Sequence, residues 1–309
     1  MDFSWVDGSN PFAVWWMFLI AVASANILAW IALHRSHRRG AKRLQFDKWR
    51  AELMLWLCAA YVFRCAFRSA LPRADVQRIA LFDSWISSIF VGRSVATIAE
   101  ICFIIQWAIV LRYLANVVKS DTVRNVAHVI VPLIVLAECF SWYAVVTTSF
   151  IGNSVENSLW AVAFFLIAVA LVRLLSEFHG IARVAIVTCL AGIAGYLAFL
   201  VLIDVPMYFA RWQADLAAGR EPLGLLGGMH DVATRWTVTH DVAHWRDEMA
   251  WMGLYFSAGV WSSLSLCGFS LVRHRVRQYR TFPASGLRGA RLPLGARLSL
   301  ARARPAREL

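Results

Sequence analysis

Seven stretches of this chain are apolar on all sides over about 18 residues or more, without the polar face that a surface helix of a soluble protein carries. A membrane-spanning helix needs about 20 predominantly apolar residues, so each stretch can cross a bilayer. The predicted spans cover residues 12–33, 50–67, 86–111, 126–147, 158–175, 184–207 and 249–272. The pattern therefore predicts an all-α fold, a polytopic membrane helix bundle of about seven transmembrane helices.

The segments between the predicted spans differ in charge between the two sides of the bundle. One side collects the basic residues of segments 34–49 and 112–125, together with Arg173, Arg183 and the C-terminal tail. The other side has no Lys or Arg before the first span and none in segment 148–157. Basic residues near span ends mark the cytoplasmic side, so we expect the N-terminus outside and the C-terminus in the cytoplasm.

Two regions of the chain differ in their pattern of apolar and polar residues. Residues 1–280 form the predicted seven-helix transmembrane domain, including a long outer loop over 209–248. Residues 281–309 contain Gly, Pro and many Arg with little apolar periodicity, which predicts a disordered cytoplasmic tail. Its arginines are expected to lie against the anionic lipid of the inner leaflet.

Composition supports the membrane interpretation. Hydrophobic residues make up 60% of the chain and charged residues 16%, against about 45–50% and about 25% in soluble domains, which excludes a soluble protein. The net charge of +12 does not indicate nucleic-acid binding, because ten basic residues lie in the last 37 positions and most others near span ends. The six cysteines lie in apolar spans and form no C-x-x-C pair, which argues against a disulfide framework. We expect a multi-pass protein of a cell membrane, with the bacterial inner membrane as the predicted location.

Ionisable residues within the third and fourth spans carry the most chemical information. Arg93, Thr97 and Glu100 are spaced i, i+4, i+7, which places them on one helix face. Helical rise places Glu100 roughly 18 Å and Glu138 roughly 14 Å below the outer ends of their spans. Such residues mark a functional cavity or form a structural ion pair, and the sequence leaves both interpretations open.

Further polar residues lie toward the outer ends of the spans, including Arg73 and Glu156. This distribution predicts a polar, periplasm-facing cavity that is closed toward the cytoplasm. The predicted catalytic residues are Glu100, Glu138 and Asp204. The predicted residues for an anionic substrate are Arg64, Arg68, Arg93 and Arg211, with Arg73 beside them, because guanidinium groups suit phosphate or carboxylate.

A second candidate site lies in the predicted outer loop. On a helix, His240, His244 and Glu248 would recur at i, i+4, i+8 and present two imidazoles and a carboxylate to a divalent metal such as zinc. A surface amphipathic helix lying on the lipid headgroups accounts for the same pattern without a metal.

Three classes of function follow from these features. The first is a membrane-embedded enzyme acting on a lipid or lipid-linked anionic substrate, with a buried Glu as general acid or base. The second is a proton-coupled transporter of a small molecule, and the third is a non-catalytic ligand-binding or assembly subunit of a membrane complex. Membrane lipids are the expected partners, and nucleic acid is not.

Overall fold

The computed structural model describes residues 5–6, 10–40, 48–272 and 279–280, so the predicted tail over 281–309 lies outside the described residues. The described chain contains ten α-helical segments. Their bounds are α1 Pro11–Gly40, α2 Lys48–Ala70, α3 Ile89–Val118, α4 Asp121–Thr147, α5 Phe150–Leu175, α6 Gly180–Phe199, α7 Val205–Ala217, α8 Leu225–Thr234, α9 Val242–Leu254 and α10 Val260–Val272. One π-helical turn, Leu200–Asp204, joins α6 to α7, and another, Tyr255–Gly259, joins α9 to α10, leaving eight continuous helices.

The predicted all-α helix bundle is confirmed. Within the part of the chain that the structure describes, six helices are long and apolar enough to cross a membrane, as expected of a multi-pass integral membrane protein. They lie at Pro11–Arg39, Trp49–Ala70, Ile89–Val118, Asp121–Thr147, Phe150–Leu175 and Gly180–Ala217. The seventh predicted span, 249–272, is helical but is not among these six, so the number seven and the orientation stay predictions.

Two tight turns reverse the chain between α3, α4 and α5. Lys119 and Thr148 each adopt the left-handed conformation, with φ of 58° and 57°, and each backbone N–H donates back to its preceding helix. Ser120 then caps α4, because its side chain accepts a hydrogen bond from the Val123 N–H. These short connections make the three helices antiparallel neighbours, and the core of the bundle lies between them, α1, α2 and α10.

One end of the bundle is covered by small elements, and we call it the hairpin end. There β1 (Arg73–Ala74) pairs antiparallel with β2 (Ile79–Ala80), and β2 pairs parallel with β3 (Thr237–Val238). A Cβ atom at Gly228 would lie 2.1 Å from the Val146 carbonyl oxygen, so only glycine lets α8 pack this closely on α4.

The segment predicted as a long outer loop, 209–248, is more regular than its sequence indicates. It contains the end of α7, all of α8, strand β3 and the start of α9. Long-range pairing of β3 with β2 orders it, and no local pattern reveals such pairing.

Candidate functional site

Five charged side chains meet inside the bundle toward the hairpin end, and we call them the ionic cluster. Each is 7% exposed or less. Helix α2 contributes one, α3 two, and α4 and α5 one each: Arg64, Arg93, Glu100, Glu138 and Glu156. Buried charges require partners, so the network between them decides what the cluster can do.

Arg93 is the centre of the ionic cluster. Its Nη2 donates to Glu100 Oε2 at 3.0 Å and to Glu138 Oε2 at 2.6 Å. Its Nη1 lies 3.7 Å from Glu156 Oε1. Thr97, one turn further along α3, donates to the same Glu138 Oε2 at 2.6 Å. The face of α3 recognised in the sequence therefore holds carboxylates from two neighbouring helices.

Both oxygens of Glu100 are taken by guanidinium groups. Arg64 Nη2 donates to Glu100 Oε1 at 2.6 Å, while Arg93 holds Oε2. The Arg64 guanidinium lies 5.2 Å from the Tyr255 ring centroid, close enough for a cation–π contact. Glu100 is thus a fixed anion that orients two arginines.

Glu138 is only half satisfied. Its Oε2 receives hydrogen bonds from Arg93 and Thr97, whereas its Oε1 is buried without a hydrogen-bond partner. A positioned carboxylate with a free oxygen is the form that a general base requires.

Beside the ionic cluster lies a second group, which we call the arginine corner: Arg68, Arg73 and Asp75. Arg68 Nη1 lies 3.5 Å and Arg73 Nε 3.2 Å from the Asp75 carboxylate, and Arg68 Nη2 donates to the Arg73 carbonyl at 3.0 Å. Burial raises the pKa of Asp75, but the guanidinium groups of Arg68 and Arg73 outweigh it, and the net pKa lies below the ordinary value. Burial lowers the pKa of Arg73 to about 9, so Arg73 is still charged at neutral pH.

A surface cavity of about 310 Å³ lies at the hairpin end. Its lining includes Gln77, Phe150, Arg211, His244 and Glu248. Gln77 donates to Glu248 Oε1 at 3.1 Å. Burial raises the pKa of Glu248 to about 7, and the positive charge of Arg68 offsets part of this rise. Glu248 therefore interacts electrostatically with the arginine corner and also lines the cavity.

The predicted substrate and catalytic residues fall into two places. The structure brings Glu100, Glu138, Arg64 and Arg93 together in the ionic cluster, with Arg68 in the adjoining corner. The other two are separate. Asp204 sits in a π-helical turn and accepts a hydrogen bond from Asn157 at 2.7 Å, and Arg211 lines the cavity.

The predicted metal ligands do not converge as the sequence spacing suggested. Helix α9 begins at Val242, because Asp241 caps it by accepting from the Ala243 N–H, so His240 lies before the helix. The His240 ring instead stacks on Trp5 at 4.6 Å between centroids. His244 and Glu248 both line the cavity. Among the described residues, one set of three potential ligand side chains has its donor atoms within 4.8 Å of one another, namely Glu100, Glu138 and Glu156, and Arg93 contacts all three.

Several residues of the site were harder to identify from the sequence. Glu156 stood out only as a polar residue near a span end, whereas Arg73 was predicted to lie beside the arginines for an anionic substrate. Asp75 and Gly92 gave no signal, since their roles depend on how the β1–β2 hairpin lies on α3.

Comparison with known proteins gives no further guide to this site: no protein-family model matches the chain, and no curated protein or solved structure is significantly similar to it.

Proposed function

We propose that this integral membrane protein is an enzyme that acts on a lipid or lipid-linked anionic substrate at the ionic cluster. The observation that carries the proposal is Glu138, a buried carboxylate held by Arg93 and Thr97 on one oxygen, whose other oxygen receives no hydrogen bond from a donor among the described residues. A purely structural ion pair has no need of an unpartnered oxygen, whose burial costs about 1–3 kcal/mol.

Each part of the site has a role in this proposal. Glu138 is the general acid or base, and Arg93 holds it in position. Glu100 binds the same Nη2 of Arg93 and is itself held by Arg64, so Glu100 and Arg64 are positioning residues. The anionic group of the substrate is held by the arginine corner, and Arg211 lines the surface cavity at the same end of the bundle. Asp204 has no direct role in this proposal and is a second acidic group at the hairpin end.

The distribution of buried polar groups favours an enzyme over a transporter. Beyond Glu100 toward the other end of the bundle, the buried polar side chains between the helices are neutral, as in the pair formed by Ser263 and Gln106 at 2.6 Å. Within the described residues, the buried carboxylate and guanidinium groups therefore lie on the side of the hairpin end, whereas the buried His37 lies near the other end. A proton-coupled transporter needs a path that reaches both sides, whereas an enzyme needs only one opening.

The proposed setting follows the charge asymmetry of the sequence. With the hairpin end facing outward, the cavity opens to the periplasm of a bacterial inner membrane, and the substrate comes from the outer leaflet.

Turnover of membrane lipids tests the proposal. The purified protein is reconstituted with phosphatidylethanolamine, phosphatidylglycerol and cardiolipin, and products are followed by lipid mass spectrometry. We expect wild type to form a product and Glu138→Gln to lose at least about a hundredfold in rate, the scale of general acid–base catalysis. The matched control is Glu177→Gln, which alters an ion pair with Arg173 outside the site and should leave the rate unchanged. Equal rates in Glu138→Gln and wild type would overturn the catalytic role, and no product from any lipid would favour the ligand-binding or assembly alternative.

A further inference from the structure

The arginine corner contains hydrogen-bond donors that nothing in the described chain satisfies. Arg73 is 1% exposed, yet its Nη1 has no hydrogen-bond partner, while its Nε is paired with the Asp75 carboxylate at 3.2 Å. The Nε of Arg68, which is 4% exposed, is also unpartnered. Buried donors are normally satisfied, so two unsatisfied guanidinium nitrogens in one corner, Arg73 Nη1 and Arg68 Nε, indicate a missing acceptor.

The absence of a side chain at Gly92 in helix α3 makes room for the Arg73 guanidinium. A Cβ atom at Gly92 would lie 1.5 Å from Arg73 Cζ, so the guanidinium occupies the space that any side chain at position 92 would need. The guanidinium also lies 5.5 Å from the Phe67 ring centroid. Glycine in α3 and the aromatic ring on α2 together hold Arg73 in the interior with its Nη1 unpaired.

The charges of the corner do not balance within it. Arg64 and Arg93 are engaged by glutamates of the ionic cluster. Arg68 and Arg73 share one carboxylate, Asp75. Two positive charges and one negative charge leave +1 on the three corner residues themselves, beside an ionic cluster in which two arginines face three carboxylates.

We infer that Arg68 and Arg73 bind the phosphodiester group of the substrate, and that Asp75 selects this singly charged group over a doubly charged phosphomonoester. The inference rests on the proposed function, because it names the chemical class of that substrate. Guanidinium groups match phosphate oxygens in geometry and supply the donors that are unpaired in the corner. A phosphodiester brings one negative charge and neutralises the corner, whereas a phosphomonoester near pH 8 brings about two, since its second pKa is about 6. The extra charge would lie against Asp75 in a buried site.

Binding of defined phospholipids to the full-length protein in dodecyl maltoside tests the inference. The probes are phosphatidylglycerol, a phosphodiester, phosphatidic acid, a phosphomonoester, and diacylglycerol, which has no phosphate. Bound lipid is measured by native mass spectrometry at pH 8. We expect wild type to prefer phosphatidylglycerol over phosphatidic acid by about tenfold or more, and to bind neither as weakly as diacylglycerol. Competition by inorganic phosphate separates recognition of the phosphoryl group alone from recognition of a lipid headgroup.

Three variants sharpen the test. Asp75→Asn should reduce or reverse the preference for phosphatidylglycerol by about tenfold, because it raises the charge of the corner to +2. Arg73→Gln should weaken phosphatidylglycerol binding by about tenfold, and Arg124→Gln, which alters an exposed ion pair with Asp121, should not. An unchanged preference in Asp75→Asn would overturn the selectivity, and phosphatidylglycerol binding no tighter than diacylglycerol in wild type would overturn the site even if a variant fails to fold.

Failure of this inference and failure of the proposed function give different results. Lipid turnover that persists in Arg73→Gln with unchanged binding leaves the enzyme in place and removes the phosphodiester site. Selective phosphatidylglycerol binding without turnover leaves the site and removes the enzyme.

Discussion

Replacing Arg93 with glutamine removes the cation that three buried carboxylates share. The ligand oxygens of Glu100, Glu138 and Glu156 lie within 4.8 Å of one another, and Arg93 contacts each of them. At an effective dielectric constant of about 20, two like charges about 4.8 Å apart repel by about 3.5 kcal/mol. Removing one partner of a buried ion pair generally costs about 3–5 kcal/mol, and we expect Arg93→Gln to lower the free energy of unfolding by that amount.

The assay is unfolding of the detergent-purified protein, followed by circular dichroism, for Arg93→Gln, Glu138→Gln and the double variant. In the double variant one of the stranded carboxylates is gone, so we expect it to recover at least about 1 kcal/mol relative to the sum of the single losses. Arg124→Gln is the matched control, because Arg124 pairs with Asp121 on the surface and its loss should cost about 0–1 kcal/mol. A loss in Arg93→Gln as small as the control, or strictly additive losses, would refute the account of Arg93 as the shared cation.

Three further predictions concern the hairpin end. The pKa of Glu248 is raised from 4.5 to about 7, so the folded state favours its protonated form. The free energy of unfolding should therefore fall by about 3 kcal/mol as pH rises from about 4.5 to about 7, and level off above. Unfolding of Glu248→Gln measured across that range should lack this pH dependence. Arg78 donates hydrogen bonds to Asp231, to the Asp75 carbonyl and to the Val145 carbonyl, and so anchors the hairpin to α8 and α4. Arg78→Gln should speed hydrogen exchange in the β1–β2 hairpin and α8, while the inner halves of the spans stay protected. Unchanged exchange would contradict the anchoring role of Arg78. Gly92→Ala should displace the Arg73 guanidinium and lower stability by about 1–3 kcal/mol, which thermal unfolding can measure.

The helices were predictable from the sequence because apolar runs of this length report directly on the bilayer. The ends of the helices were less predictable. Helix α5 begins at Phe150 rather than at residue 158, since Ser154 and Glu156 in its first turns are buried in the bundle and not exposed as loop residues would be. Polar side chains that face a protein interior look, in the sequence, like the end of a span.

The candidate site was predictable only where it follows helical periodicity. Arg93, Thr97 and Glu100 share a face of α3 because of their spacing, and depth alone placed Glu138 beside them. The contact between Arg73 and Gly92 depends instead on how a short hairpin folds back onto α3, which no local pattern encodes. The same limit applies to the predicted metal ligands, since the cap at Asp241 decides where α9 begins.

The central claim is that Glu138 performs chemistry while Glu100 holds the site together, and the two Glu→Gln variants separate these roles. Glutamine at position 138 can still accept hydrogen bonds from Arg93 and Thr97 through its carbonyl oxygen, whereas glutamine at position 100 turns an amide group toward one of its two arginines.

The most direct measurement is turnover per folded molecule together with thermal stability in the same preparations of both variants. The account predicts that Glu138→Gln loses turnover with little change in stability, and that Glu100→Gln loses about 3–5 kcal/mol of stability. Parallel losses of stability in both variants, with turnover per folded molecule unchanged in Glu138→Gln, would contradict it and make the ionic cluster purely structural.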